Sequence, residues 1–173
     1  MTVKLIYETH ATTLDNEQGI ATGWLPGELS AEGRRQAVEL GERHRDVDVV
    51  FSSDLRRAVQ TVELAGPAVP HLQDWRLREC DYGELNGASA GQLGPRRARI
   101  DLPFPGGQSY SDVLALTESF LADVSRWYVG RRVLVVAHSA NRWCLDHLLG
   151  SGLPLEELVD APFEWQSGWE YEL

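Results

Sequence analysis

The chain has 173 residues, 43% hydrophobic and 24% charged, with sixteen glycines and eight prolines. That composition fits a single domain over 1–173 with its own core, and excludes disorder, collagen-like repeats and a second full-sized domain. Sixteen basic against 26 acidic side chains leave a formal charge of −10, which repels nucleic acid and anionic lipid and obliges any anionic substrate to rely on a local cluster of arginines.

Val3–Tyr7 is a short apolar run that predicts a buried strand, and Glu8 follows too early for a signal-peptide core. After a polar stretch to Gly27, Ser30 is placed to cap a helix running to about Arg45, with Ala37, Val38, Leu40 and Gly41 toward the core. Asp48–Ser52 reads as a second buried strand, and Asp54 as the cap of a helix carrying Leu55, Ala58, Val59 and Val62 at helical spacing. From His71 to Gly107 the sequence is irregular and rich in arginine, glycine and proline, the pattern of a functional loop, with 91–107 as a candidate lid. Ser111 opens a third helix, in which Val113, Leu116, Phe120, Val124 and Trp127 recur at intervals of three or four. Arg132–Ala137 is the clearest buried strand, a helix follows from about Ala140 to Leu149 with Gly150 as its stop, and Gly168–Leu173 suits a last, antiparallel strand. No apolar run is long enough for a membrane span, and the two cysteines, Cys80 and Cys144, make neither a disulfide framework nor a zinc site. A cytoplasmic protein without membrane or nucleic-acid partners is the expectation; a homodimer is compatible with the sequence.

Strands apolar on both faces that alternate with helices predict a three-layer α/β/α sandwich around a mostly parallel sheet. Ligands in such sheets bind beyond the C-terminal strand ends, here Glu8–Thr13, Ser52–Arg57 and His138–Arg142. Those segments supply His10, Arg57 and His138. Two imidazoles with a guanidinium suit phosphoryl transfer: a neutral ring nitrogen attacks phosphorus, and planar donors hold the oxygens. A protonated second histidine would add donors. The leaving oxygen needs an acid of raised pKa, for which Glu79 is the candidate and Glu84 the lesser one.

The chain resembles the histidine phosphatase superfamily, which includes the cofactor-dependent phosphoglycerate mutases. The likeness runs through Thr9-His10-Ala11-Thr12-Thr13 with Asn16, Gly23-Trp24 with Leu29-Ser30-Ala31-Glu32-Gly33 and Gln36-Ala37, Ser52-Ser53-Asp54-Leu55-Arg56-Arg57-Ala58, Leu77-Arg78-Glu79, Pro105-Gly106-Gly107 and Ala137-His138-Ser139, in the family's order. The resemblance implies a phosphoglycerate mutase-like fold and a small phosphorylated substrate. It makes His10 the phosphate-accepting nucleophile, Glu79 the proton donor and His138 part of the phosphate pocket with Arg57 and Asn16, and it implies no metal or organic cofactor. Thr9 and Ser139, beside the two histidines, count as further phosphate contacts. Thr9 and Ala11 stand where the family carries arginine and glycine, and Arg142, four residues after His138, is the first choice to replace the absent guanidinium.

Hydrolysis through a phosphohistidine ranks first, ahead of phosphoryl return to a second hydroxyl as in the longer mutases. Two other classes stay open: a metal enzyme using His10, His138 and Glu79 as ligands, and a non-catalytic binder. Elsewhere, Arg34, Arg35 and Arg56 read as solvated, His44, His71 and His147 as surface or helix-end residues, and Cys80 as a small buried residue. Arg96, Arg97 and Arg99 form a solvated run able to steer an anion, and Trp24 and Trp143 are candidates for an apolar wall.

Overall fold

Three apolar runs of the sequence lie side by side at the centre of one sheet. In the computed structural model, which describes residues 1–173, the elements in chain order are β1 (Lys4–Thr9), α1 (Leu14–Glu17), β2 (Ile20–Ala21), α2 (Ala31–Arg43), β3 (Val49–Ser52), α3 (Arg56–Ala65), β4 (His71–Gln73), β5 (Ala88–Ser89), α4 (Tyr110–Trp127), β6 (Arg132–Ala137), α5 (Ser139–Leu149), α6 (Leu155–Leu158) and β7 (Trp169–Glu172). The main sheet has the order β4-β3-β6-β1-β7, parallel throughout except for β7, which runs antiparallel to β1. β2 and β5 form a separate small antiparallel ladder.

The period of two in the strands divides the apolar side chains between two faces. Ile6, Val50, Leu134 and Val136 point to α2 and α3, where Leu40 and Val62 meet them. Leu5, Tyr7, Phe51, Val133 and Val135 point the other way and pack against Phe120, Leu121 and Val124 of α4 and Leu145 of α5. The result is the expected three-layer α/β/α arrangement.

The helix starts differ from the sequence reading in instructive ways. Asp54 does not cap α3; Leu55 precedes the helix without a side-chain bond, and the Asp54 carboxylate instead receives Arg78 through two bonds of 2.7 and 2.6 Å. Ser109, not Ser111, caps α4, in a reciprocal pair with Asp112. Ser30 caps α2 as expected, its hydroxyl accepting from the Gly33 amide at 3.1 Å. β4, placed by sequence inside the irregular stretch, is a three-residue edge strand too short to show a period. The 91–107 segment is tied down at its end: Gln108 donates to the Asp81 carbonyl at 2.8 Å, and its side-chain oxygen accepts from the Asp81 amide at 3.1 Å. No helix is long and apolar enough to cross a membrane.

Candidate active site

The parallel register of β1 and β6 sets Thr9 opposite Ala137, so that the next residue of each strand, His10 and His138, leaves the sheet at the same level. The His10 amide extends the ladder to the Ala137 carbonyl at 2.9 Å. The two rings lie 5.1 Å apart between centroids, tilted by 52°.

Each ring is oriented by its neighbours. His10 Nδ1 lies 2.8 Å from the Ala11 carbonyl, an acceptor only, so Nδ1 carries the proton and Nε2 keeps its lone pair. Arg57 Nε donates to that Nε2 at 3.3 Å. Burial, and then the charge of Arg57, lower the His10 pKa to about 3 against the partial opposition of the Ala11 bond. His138 is fully buried, with Nε2 at 2.6 Å from the Ser53 hydroxyl and Nδ1 without a protein partner. Its pKa is held well below the ordinary imidazole value by burial, Arg57 and His10 in that order. The expected protonated second histidine is therefore corrected to a neutral one, because burial disfavours the charged ring and the adjacent guanidinium repels a second positive charge. The Tyr7 hydroxyl and Asn141 side chain fix the His138 backbone at its carbonyl and amide.

Arg57, at the start of α3, is only 2% exposed and pairs with no carboxylate. Its other donors reach the carbonyls of Gly23 at 2.8 Å and Leu25 at 2.9 Å. A buried guanidinium held by backbone oxygens, with no counter-ion, is a standing anion site. Glu79 is buried in the same cavity, its Oε1 accepting from the Cys80 amide at 2.8 Å. Burial raises its pKa, with the Cys80 bond and Arg57 pulling the other way, so the carboxyl is biased toward the protonated form a proton donor requires.

His10, Asn16, Arg57, Glu79, Tyr82, Arg96, Ser139 and Trp143 line this cavity, which encloses roughly 250 Å³. A second cavity of roughly 350 Å³ adjoins it, sharing His10, Asn16 and Ser139 and adding Glu8, Thr9, Arg43, Phe163 and Trp165 among its walls. The structure thus brings His10, Glu79, Arg57, Asn16 and Ser139 to one cavity, whereas His138, expected in the phosphate pocket, is packed against the His10 ring with no exposed surface and lines neither cavity. It places Thr9 in the second cavity only. Arg142 is a correction: its guanidinium bonds Asp146 one turn along α5 at 2.9 Å and stacks over Trp169 at 5.0 Å, and it lines neither cavity. Of the basic run Arg96, Arg97 and Arg99, expected to be solvated and able to steer an anion, only Arg96 lines a cavity of the site. It stands at the mouth of the first cavity, over the Trp143 ring at 5.4 Å, where the basic run met the candidate lid in the sequence. No group of three or more His, Cys, Asp and Glu side chains is disposed to hold a metal ion, so His10, His138 and Glu79 do not form a ligand set.

This geometry has known counterparts. Residues 9–165 match the family model of the histidine phosphatase superfamily (branch 1). A 2,3-bisphosphoglycerate-dependent phosphoglycerate mutase of Bradyrhizobium is 32% identical over 90% of this chain and 86% of that enzyme. Among solved structures, Bacillus stearothermophilus YhfR superposes with a TM-score of 0.80 at 26% identity, covering 95% of this chain and 88% of that one. A mycobacterial glucosyl-3-phosphoglycerate phosphatase in complex with VO3 gives a TM-score of 0.76 at 30% identity, covering 90% and 85%. With the family's model matched along most of its length, the chain belongs to branch 1 of the histidine phosphatase superfamily.

Proposed function

We propose that the protein is a phosphatase that hydrolyses a small phosphorylated metabolite through a phosphohistidine at His10. The carrying observation is the state of that ring: neutral, with Nδ1 tied to the Ala11 carbonyl and Nε2 facing the Arg57 guanidinium inside a cavity that also holds Glu79. Phosphate oxygens are received by Arg57, by the free Asn16 and Ser139 side-chain groups, and by the N-terminus of α5. The Nε2 lone pair forms the bond to phosphorus while the Glu79 carboxyl gives its proton to the departing oxygen. The Glu79 carboxylate then takes a proton from water, whose oxygen displaces the ring nitrogen and releases phosphate. Hydrolysis is favoured over return to a second hydroxyl because His10 is only partly buried and lines the cavity, which leaves the phosphorylated ring open to water.

His10→Ala should abolish turnover of phosphate esters and the acid-labile phosphoryl adduct seen by mass spectrometry under neutral conditions. Glu79→Gln should cost an alkyl phosphate about 10²–10⁴ in kcat, and 4-nitrophenyl phosphate much less, because nitrophenolate leaves without a proton. Phosphate release by His10→Ala at the parent rate would defeat this function, as would transfer to an acceptor alcohol in place of water.

A further inference from the structure

The two cavities divide the site's groups unevenly, and the division bears on what is attached to phosphorus. His10, Asn16 and Ser139 line both, whereas Arg57 and Glu79 line only the first. In-line displacement puts the leaving oxygen opposite His10 Nε2, on the side of the proton donor, so the leaving group belongs to the first cavity. Whatever enters the second cavity must depart from phosphorus sideways, past Asn16 and Ser139, through an oxygen that is not the leaving one. Thr9 lines that second cavity as a small side chain, and it brings no charge. Arg57 is the one buried guanidinium beside His10, which balances one negative charge rather than the nearly two of a monoester at neutral pH.

We infer that the enzyme accepts phosphodiesters, seating the retained ester substituent in the Thr9 cavity. This rests on the phosphohistidine chemistry above. The second cavity holds no free cation for a further anion: Arg43 bonds the buried Glu8 carboxylate at 3.0 Å and lies 5.8 Å from the Trp165 ring. His44 occupies the same Glu8 oxygen at 2.7 Å. With Phe163 and Trp165 as its outer wall, it suits an uncharged aryl or hydroxylated substituent. His10 Nε2 bonds phosphorus, the bond to the first alcohol breaks, and that alcohol leaves with the Glu79 proton. The intermediate keeps the second ester. Water, deprotonated by the Glu79 carboxylate, then breaks the nitrogen–phosphorus bond and releases a monoester, the electron pair returning to Nε2.

The test compares nitrophenolate release from bis(4-nitrophenyl) phosphate and 4-nitrophenyl phosphate for the parent, Thr9→Arg and Trp165→Ala proteins. The parent should show the higher kcat/KM for the diester, with a His10 adduct that retains one nitrophenyl group by intact mass. Thr9→Arg, which puts a larger side chain and a guanidinium on the wall of the second cavity, should shift the ratio toward the monoester by about tenfold or more. Trp165→Ala should raise KM for the diester alone. Turnover of the monoester only, or an unchanged ratio in a Thr9→Arg protein that melts with the parent, overturns the inference and leaves the phosphohistidine reading standing. Should Thr9→Arg fail to fold, Trp165→Ala decides: a selective loss supports the inference, and equal effects on both substrates overturn it. No turnover of either ester by the parent overturns the reading of the site itself, and the inference with it.

Discussion

His10, partly buried, and His138, fully buried, are both held as neutral bases, and that protonation state ties the site to the stability of the fold. An unfolded histidine binds its proton near pH 6.5, whereas His10 in the native chain does so only near 3. Between those values the unfolded state carries the extra proton, so stability is complete above about pH 6.5 and declines as the pH falls across the window. His138, also held well below the ordinary value, acts in the same direction. Urea midpoints taken at about pH 7 and pH 5 should therefore differ, and His10→Gln should reduce the difference. An undiminished pH slope in the variant would show that His10 does not titrate in this way. His10, His138 and Arg57 were legible because a strand end or a helix start, which the pattern reveals, anchors each of them, whereas Glu79 was legible only through the Leu77-Arg78-Glu79 likeness. Arg142 was not, because its direction depends on Asp146 and on β7 supplying the Trp169 face, partners remote from any local pattern.

Among the elements, α2 sits against the loop that follows His10, and one contact governs the fit. A Cβ built on Gly33 would lie 1.8 Å from the Thr12 carbonyl oxygen, backbone that cannot yield cheaply. That loop is otherwise held by Gln36, whose side-chain oxygen accepts from the Thr12 amide at 3.0 Å, and by Thr61, which accepts from the Ala11 amide at 3.0 Å. Gly33→Ala should thus destabilise by about 1–3 kcal/mol despite its better helix propensity, and lower kcat by displacing His10. Gly91→Ala, with open space around its Cβ, is the control expected to be neutral or slightly stabilising; equal urea midpoints for the two variants would contradict the contact. The strands and long helices were visible in the sequence through their periods. The edge strand β4 and the ladder of β2 with β5 were not, since two or three residues carry no period and are specified by the partner that pairs with them.

For the molecule as a whole, a charge of −10 opposes the approach of any phosphate ester, and the cations at the site act against that field. Arg57 is buried, so the charge an incoming anion meets first is Arg96, exposed at the cavity mouth. Arg96→Ala should raise KM by about fivefold with kcat nearly unchanged, and the gap should narrow as salt is added, because an exposed charge is screened within about 10 Å at 0.1 M ionic strength. A salt-independent gap would assign Arg96 a packing role on Trp143 instead.

The pairing of β1 with β6 has one more consequence. The gap between the two imidazoles is set by hydrogen-bond rungs in the middle of the sheet, at strands with a neighbour on either side, and not by any loop that opens on its own. Slow-exchanging amides are therefore expected to reach as far as the residues next to His10. Heat inactivation should coincide with collapse of the β-structure signal instead of running ahead of it.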